Sequence, residues 1–379
     1  MNIKSLLLGS AAALVAVSGA RAADAVVVAE PEPAEYVRIC DVYGAGYFYI
    51  PGTETCLRIG GYVRYDIGVG DIGTFTGAGT VDVEDGDEQD TYWKRARFSL
   101  KTWTGQETEL GTLKTYTQTN FNFRNTQGDT SPFLNEAGNT GVTLNFAWIQ
   151  LGGLRVGKDE SAFDTFIGYA GNVLNDTLVP YGGFDTNVVQ YYFDAGNGFS
   201  AVVSLEQGYG DFTIDSYVPH IVGGVKYTQD WGAIAGVVAY DANYEEVAGK
   251  VRLDVTPMEN LSLFIMAGYG TDDNYTDDTW AFPAGGRGMY KLWDGNWAVW
   301  GGGTYTFNEK TSFNLQASYD EGENLGIAAN VAYDIVPGLT ITAEVDYVHV
   351  GEFDPDEPNW TNADDEDSFG GLLRFQRSF

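Results

Sequence analysis

The sequence predicts an all-β protein, a transmembrane antiparallel β-barrel of sixteen strands with short turns at one end and long acidic loops at the other. Three observations carry this prediction. First, Leu325, Ile327, Ala329, Val331, Tyr333 and Ile335 alternate with Gly326, Ala328, Asn330, Ala332 and Asp334. After Val336-Pro337-Gly338 the pattern restarts, with Leu339, Ile341, Ala343, Val345 and Tyr347 against Thr340, Thr342, Glu344 and Asp346. Alternate side chains of a strand point to opposite faces, so these segments build a sheet with one apolar and one polar face. Second, Lys250, Arg252 and Asp254 alternate with Val251, Leu253 and Val255. Three successive charges facing a packed core would be very costly, which argues against a two-domain β-sandwich. Third, no stretch beyond residue 22 is apolar for the length of a spanning helix, which excludes a helical membrane protein. In hydrocarbon a sheet must then close on itself, because no water satisfies a free edge.

The elements follow in order. Lys4, the apolar run Leu6 to Val17 and the small-x-small site Ala20-Arg21-Ala22 read as a signal peptide over residues 1–22. Residues 23–55 read as a periplasmic N-terminal segment, with a flexible Ala-, Glu- and Pro-rich start and then a small hairpin turning at Pro51-Gly52. The barrel is expected over 56–379, with strands near 56–70, 91–103, 108–123, 141–151, 154–158, 186–193, 198–207, 221–228, 232–240, 245–256, 261–270, 295–307, 311–319, 325–335, 339–350 and 368–379. Short turns such as Gly152-Gly153, Gly196-Asn197 and Pro337-Gly338 alternate with connections that are mostly longer and more acidic, an even-stranded pattern with both ends on one side.

Composition agrees. Gly 49, Tyr 24 and Phe 21 against Pro 11 suit long strands bordered by aromatic belts. Lys4 and Arg21 leave with the signal peptide, so 21 basic and 53 acidic residues become 19 and 53, a formal charge of −34. That balance argues against nucleic acid as a partner. Export into an oxidising space makes a Cys40–Cys56 disulfide the default, with two unpaired thiols the alternative.

A lumen enclosed by sixteen strands is too wide for wall side chains to fill, so something folded inward must set its narrowest section. The longest inter-strand segment, 159–185, is the candidate, and it carries Asp159, Glu160, Asp164, Asp176 and Asp185 with no Lys or Arg. Outward Leu57, Ile59, Val63 and Tyr65 place Arg58, Tyr62 and Arg64 in the lumen. Outward Ala96, Phe98 and Leu100 likewise place Arg95, Arg97 and Lys101 there, and Arg155 follows by the same rule. Cations on one wall facing carboxylates on the loop would set a transverse field; alternatively the arginines tie the loop down, and both can hold.

Loop 71–90 holds seven acids (Asp71, Asp82, Glu84, Asp85, Asp87, Glu88, Asp90) and loop 351–367 holds eight (Glu352, Asp354, Asp356, Glu357, Asp364, Asp365, Glu366, Asp367). Such carboxylates gather cations at the mouth and could bridge through divalent ions to lipopolysaccharide phosphates. No calcium-loop spacing is present, so no metal site or cofactor is expected. Gly68-Val69-Gly70-Asp71-Ile72-Gly73 fits a dinucleotide fingerprint, but no helix pattern follows it. His220 and His349 lie far apart, without a nucleophile elbow or a zinc-protease motif, so no enzyme is expected.

Long segments matched in order identify a resemblance. MNIKSLLLGSAAALVA at the start, YGAGYFYIPGTETCLRIGGYVRYD (43–66), ETELGTLKT (107–115), QLGGLRVG (150–157), WGAIAGVVAYD (231–241) and LRFQRSF (373–379) are similar to the alphaproteobacterial porin family. The similarity covers essentially the whole chain and weakens in the long loops. It implies a general diffusion porin, a homotrimer passing small hydrophilic solutes and ions passively across the outer membrane, with a third loop folded inward. The final Phe379, preceded at alternating positions by Phe375 and Leu373, resembles the signal read by the barrel-assembly machinery; Arg377 departs from that pattern.

Overall fold

The alternation along the chain becomes strands β1 (Phe48–Tyr49), β2 (Cys56–Gly70), β3 (Ala78–Val81), β4 (Glu88–Thr91), β5 (Trp93–Thr108), β6 (Gly111–Thr126) and β7 (Glu136–Leu151). Next come β8 (Leu154–Glu160), the short helix α1 (Ala162–Thr165), β9 (Asp185–Asp194), β10 (Phe199–Glu206), β11 (His220–Gln229), β12 (Gly232–Asp241) and β13 (Glu246–Met258). The series ends with β14 (Leu261–Gly270), β15 (Trp297–Asn308), β16 (Thr311–Asp320), β17 (Leu325–Val336), β18 (Leu339–His349) and β19 (Asp367–Ser378). This computed structural model describes residues 38–70, 72, 78–126, 135–271, 288–351 and 365–379. The expected signal peptide and residues 23–37 lie outside the described residues, as do Asp71, Glu352, Asp354, Asp356, Glu357 and Asp364.

Strand β2 and strands β5 to β19 pair antiparallel in sequence order, and β19 returns to pair with β2. These sixteen strands form a closed barrel. The closing seam matches Phe375 with Tyr65 and Arg374 with Asp66. At its end Gly61 N–H donates to the Phe379 carbonyl at 3.0 Å, and Phe379 N–H returns a bond to Gly61 at 3.1 Å. Arg377 breaks the apolar alternation for a local reason: its guanidinium reaches the Pro337 carbonyl at 3.1 Å, at the short-turn end. A long cationic side chain can lie along an apolar surface while its head stays at the wet boundary.

The outer face is apolar. Val251 is 62% exposed and Val345 67%, whereas their neighbours Lys250 and Asp346 are buried. Phe193, Phe199, Tyr227, Trp231 and Phe307 stand exposed beside the short turns, and Tyr269, Trp297 and Phe369 near the opposite end. These are the two aromatic girdles of a membrane barrel.

Two small elements are not part of the sixteen-stranded ring. The Cys40–Cys56 disulfide is formed, with Cα atoms 6.0 Å apart, and β1 pairs with the first two residues of β2. Tyr43 hydroxyl donates to Glu107 at 2.9 Å, laying the hairpin on the base of β5. The bridge is worth about 3 kcal/mol by chain entropy, all of it local to this hairpin. Replacing both cysteines with Ser should therefore leave the barrel's melting temperature nearly unchanged while opening residues 39–55 to protease; a collapse of the whole barrel would contradict this. In the first long connection β3 and β4 form a separate hairpin whose acidic turn caps itself, Asp82 accepting from Glu84 N–H at 2.8 Å and Asp85 from Asp87 N–H at 3.0 Å.

Candidate functional site

The segment between β8 and β9 runs inside the barrel. Ser161 starts it by capping α1, its hydroxyl accepting from Phe163 N–H at 3.1 Å. The chain then crosses the inner faces of β10 to β18 and is fastened along its length. Glu206 of β10 accepts from Ala162 N–H at 2.9 Å and from the Tyr290 hydroxyl at 3.0 Å. Lys250 of β13 meets Asp164 at 2.6 Å and the Tyr181 carbonyl at 2.8 Å, and both charged side chains are fully buried. Arg252 donates to the Tyr169 carbonyl at 2.5 Å, and Trp300 of β15 to the Val179 carbonyl at 2.8 Å. At the far side Glu344 of β18 accepts from the N–H groups of Leu174 (2.5 Å) and Asn175 (2.8 Å), while Asn175 Nδ2 donates to Asp346 at 2.9 Å.

Apolar packing backs these polar ties. Phe163, Phe166, Ile167, Ala170, Val179 and Tyr181 of the loop are buried against Val222, Val237, Phe264, Met266 and Trp300 of the wall. Val173 and Leu178 form a second cluster with Ala328 and Val348. One position must be glycine for space, because a Cβ on Gly182 would lie 2.5 Å from Asp164 Oδ1. The hydrophobic core of this protein therefore lies between loop and wall, on one side of the lumen.

The other side is cationic. Register brings Arg64 opposite Arg97, and Asp66 opposite both Arg95 and Arg374. Asp66, fully buried, accepts from Arg95 (3.0 and 2.6 Å) and from Arg374 (2.7 Å), so one carboxylate holds two guanidiniums. Arg64 lies 4.5 Å from the Tyr62 ring centroid and Lys101 5.4 Å from the same ring. Arg97 donates to Asn122 at 2.7 Å. These cations lie at inward positions of β19, β2 and β5.

The acidic residues of 159–185 divide by environment. Asp159 and Glu160 are the last residues of β8 and Asp185 the first of β9, so they belong to the wall at the loop's roots. Asp159 is buried and bound to Arg155 at 2.7 Å. Glu160 accepts from the Tyr169 hydroxyl, and Asp185 pairs with Lys158 while staying half exposed. Asp164 does not face open water. It sits behind the loop, its carboxyl pushed up by burial and drawn down by the adjacent Lys250 ammonium. Asp176 is half-buried, accepts from the Tyr181 hydroxyl at 2.6 Å, and is pushed up to about 6, mainly by burial.

Among the cations, Arg64, Arg95, Arg97 and Lys101 come together. Arg58 stands apart, stacked 4.6 Å from Trp103, and Arg155 lies between Trp148 (4.0 Å) and Tyr192 (5.1 Å). Asp66, Arg374, Lys250 and Glu344 complete the site; Lys250 and Glu344 stand among the alternating polar positions of the sequence, and Asp66 and Arg374 lie at inward positions of their strands by the same rule. Alternation implies a wet face at Lys250 and Arg252, yet Lys250 is dry, covered by the loop and satisfied there by Asp164 and the Tyr181 carbonyl. His220 is structural: Nδ1 accepts from Ala242 N–H at 3.0 Å, which leaves Nε2–H to donate to the Phe212 carbonyl at 2.9 Å. His349 pairs with Asp367 at 2.9 Å at the barrel rim.

Comparisons with known proteins agree with this geometry. A family model described as Porin subfamily matches residues 24–372. Porin Omp2b of Brucella suis biovar 1 (strain 1330) is 50% identical over 395 residues, covering 100% of both chains. Porin Omp2b of Brucella abortus (strain 2308) is also 50% identical, again over 100% of both. Among solved structures, the outer membrane channel DcaP of Acinetobacter baumannii aligns at a TM-score of 0.57 with 16% identity, covering 87% of this chain and 99% of that one. A variant of the Rh. blastica porin aligns at 0.55 with 13% identity, over 85% and 100%. Those two likenesses concern the barrel fold alone. The named relatives are porins, passive channels and not enzymes, and on the family match and the full-length identity this chain belongs to the Porin subfamily, an outer-membrane β-barrel channel.

Proposed function

We propose that this porin is a general diffusion channel for small hydrophilic solutes and ions, narrowed by the loop 159–185 and mildly cation-selective. The carrying observation is the asymmetry of the lumen, with a loop fastened across β10 to β18 and the Arg64, Arg95, Arg97 and Lys101 wall opposite it. Solutes would pass between the two. Asp66 offsets part of the wall's charge, while Glu160 and Asp185 remain at the loop's roots. The acidic mouth then tips the balance: Asp82, Glu84, Asp85, Asp87, Glu88 and Asp90, with Asp365, Glu366 and Asp367 at the same long-loop end, raise the local cation concentration. Those same carboxylates suit bridging through divalent ions to lipopolysaccharide.

Trimeric assembly is part of the proposal. On the outer faces of β5 and β6, Thr102 pairs with Thr117 and Thr104 with Thr115, each at 2.6 Å. Hydroxyls are poor neighbours for lipid and suit a surface covered by another copy. Residues 1–22 would direct export, and Phe379 would present the chain to the assembly machinery.

Reversal potential across a salt gradient in a planar bilayer tests the reading. Ohmic steps in groups of three with a mild cation preference are expected, and raising salt to several hundred millimolar should weaken that preference by screening. Glu160→Gln with Asp185→Asn should shift the reversal potential toward anions by a measurable few millivolts, on the order of one kT or less at a screened site. A cation preference indifferent to both salt and these replacements would sink the electrostatic account. A folded barrel that stays silent would reject free diffusion.

A further inference from the structure

Beneath the loop, toward the short-turn end, the wall is hollowed. A recess of about 280 Å³ opens between Tyr169, Gly171 and Asn172 of the loop and the inner faces of β13, β14 and β15. Its charged groups are already committed. Arg252 holds Asp254 through Nε at 3.0 and 2.9 Å and through its second guanidinium nitrogen at 2.8 Å, and gives its remaining nitrogen to the Tyr169 and Gly168 carbonyls. The pair carries no net charge to draw an ion. A mobile cation would find Asp254 neutralised, and an anion would find a guanidinium with its donors occupied.

The rest of the lining is uncharged and rich in hydroxyls. Thr256 and Ser262 are exposed at inward positions of β13 and β14. Thr304 accepts from Asn172 Nδ2 at 2.8 Å and shares a 2.6 Å bond with Asn314. Tyr169 borders the opening with 43% of its surface exposed, and the buried Phe264 ring lies 4.4 Å from the Arg252 guanidinium. Gly171 keeps the loop side of the recess low, since a Cβ there would lie 3.0 Å from Gln316 Oε1 and 3.2 Å from the Phe264 ring.

We propose that this recess is a binding subsite for an uncharged polyhydroxylated solute, a small sugar or polyol, placed just beyond the narrowest part of the channel. Hydroxyls of such a solute both donate and accept, matching Thr256, Ser262 and the half-exposed Asp254 carboxylate, while its C–H face can lie on the Tyr169 ring. The volume lies near the lower end of small-molecule pockets, at roughly 300 Å³. The subsite would hold the solute briefly without stopping it, as a conducting pathway requires weak sites.

The inference rests on the diffusion-channel reading, and one experiment separates the two. Sucrose is titrated against ion current through single channels, with tetraethylene glycol as a polar comparator poor in hydroxyls, and each blockade is normalised to that variant's own conductance in salt. Current should fall saturably with sucrose and only linearly with the glycol. Ser262→Ala with Thr256→Val should raise the half-saturating sucrose concentration roughly fivefold or more, the loss of a hydrogen bond of ordinary net strength. Linear responses to both solutes, or a saturable response unmoved by the double replacement, would overturn the subsite and leave the channel standing. Absence of ohmic steps in the unaltered protein would overturn both.

Discussion

Lys250→Met should loosen the luminal loop and turn a quiet pore into a noisy, wider one. The ammonium is buried against Asp164 at 2.6 Å and the Tyr181 carbonyl at 2.8 Å, so its removal strands a carboxylate in a dry site. Breaking a buried ion pair from one side costs about 3–5 kcal/mol, enough to compete with the neighbouring ties of Glu206 and Trp300. Single-channel recording should show raised open-channel noise, larger conductance and passage of bigger neutral polymers. Lys250→Met combined with Asp164→Leu should restore the quiet state, because replacing both members by apolar groups is often neutral or stabilising. A Lys250→Met channel as quiet and as narrow as the unaltered one would contradict the assignment.

The same variant has a pH signature whose sign follows from burial. Burial raises the Asp164 carboxyl, so the dry site tolerates its protonated form. A group raised in the folded state contributes stability at low pH and loses it as pH climbs through its raised value. Without Lys250 to offset the charge, noise in Lys250→Met should diminish on acidification and grow toward alkaline pH. The paired double variant should show no such trend.

Asp66→Asn should change both selectivity and stability. Asp66 is fully buried and bonds Arg95 and Arg374 at once, across the seam where β19 meets β2. An amide oxygen cannot hold two guanidiniums as a carboxylate does, and the wall gains one net positive charge. The reversal potential should move toward anions. The seam should weaken by about 3 kcal/mol, the low end for a broken buried pair. Heat-modified migration in detergent gels reads the second effect as a lower unfolding temperature. An unchanged reversal potential would mean that the field at the narrowest point is set elsewhere.

The strands were legible because period-two alternation is enforced residue by residue when one face meets lipid. Each of the sixteen expected segments overlaps a barrel strand, and 56–70 and 261–270 match β2 and β14 end to end. The β3–β4 hairpin escaped because Ala78–Val81 and Glu88–Thr91 face no lipid and carry no alternation, even though Asp85-Gly86 is a turn signal. In the site, alternation told which cations point inward but not what they meet. Asp164 and Lys250 lie 86 residues apart, and only the path of the loop decides that one covers the other. Conversely Arg64, Arg95 and Arg97 converge because strand register alone brings them together, which is why they could be read in advance.

The one-sided core has an evolutionary consequence. Residues on β10 to β18 that carry the loop belong to a close-packed interior, where even a methylene is felt. Arg64, Arg97 and Lys101, by contrast, touch mainly an aromatic ring or an amide. Substitutions there should cost little folding stability while retuning which ions pass. A barrel divided this way should tolerate change on one wall, while the opposite wall holds the loop in place.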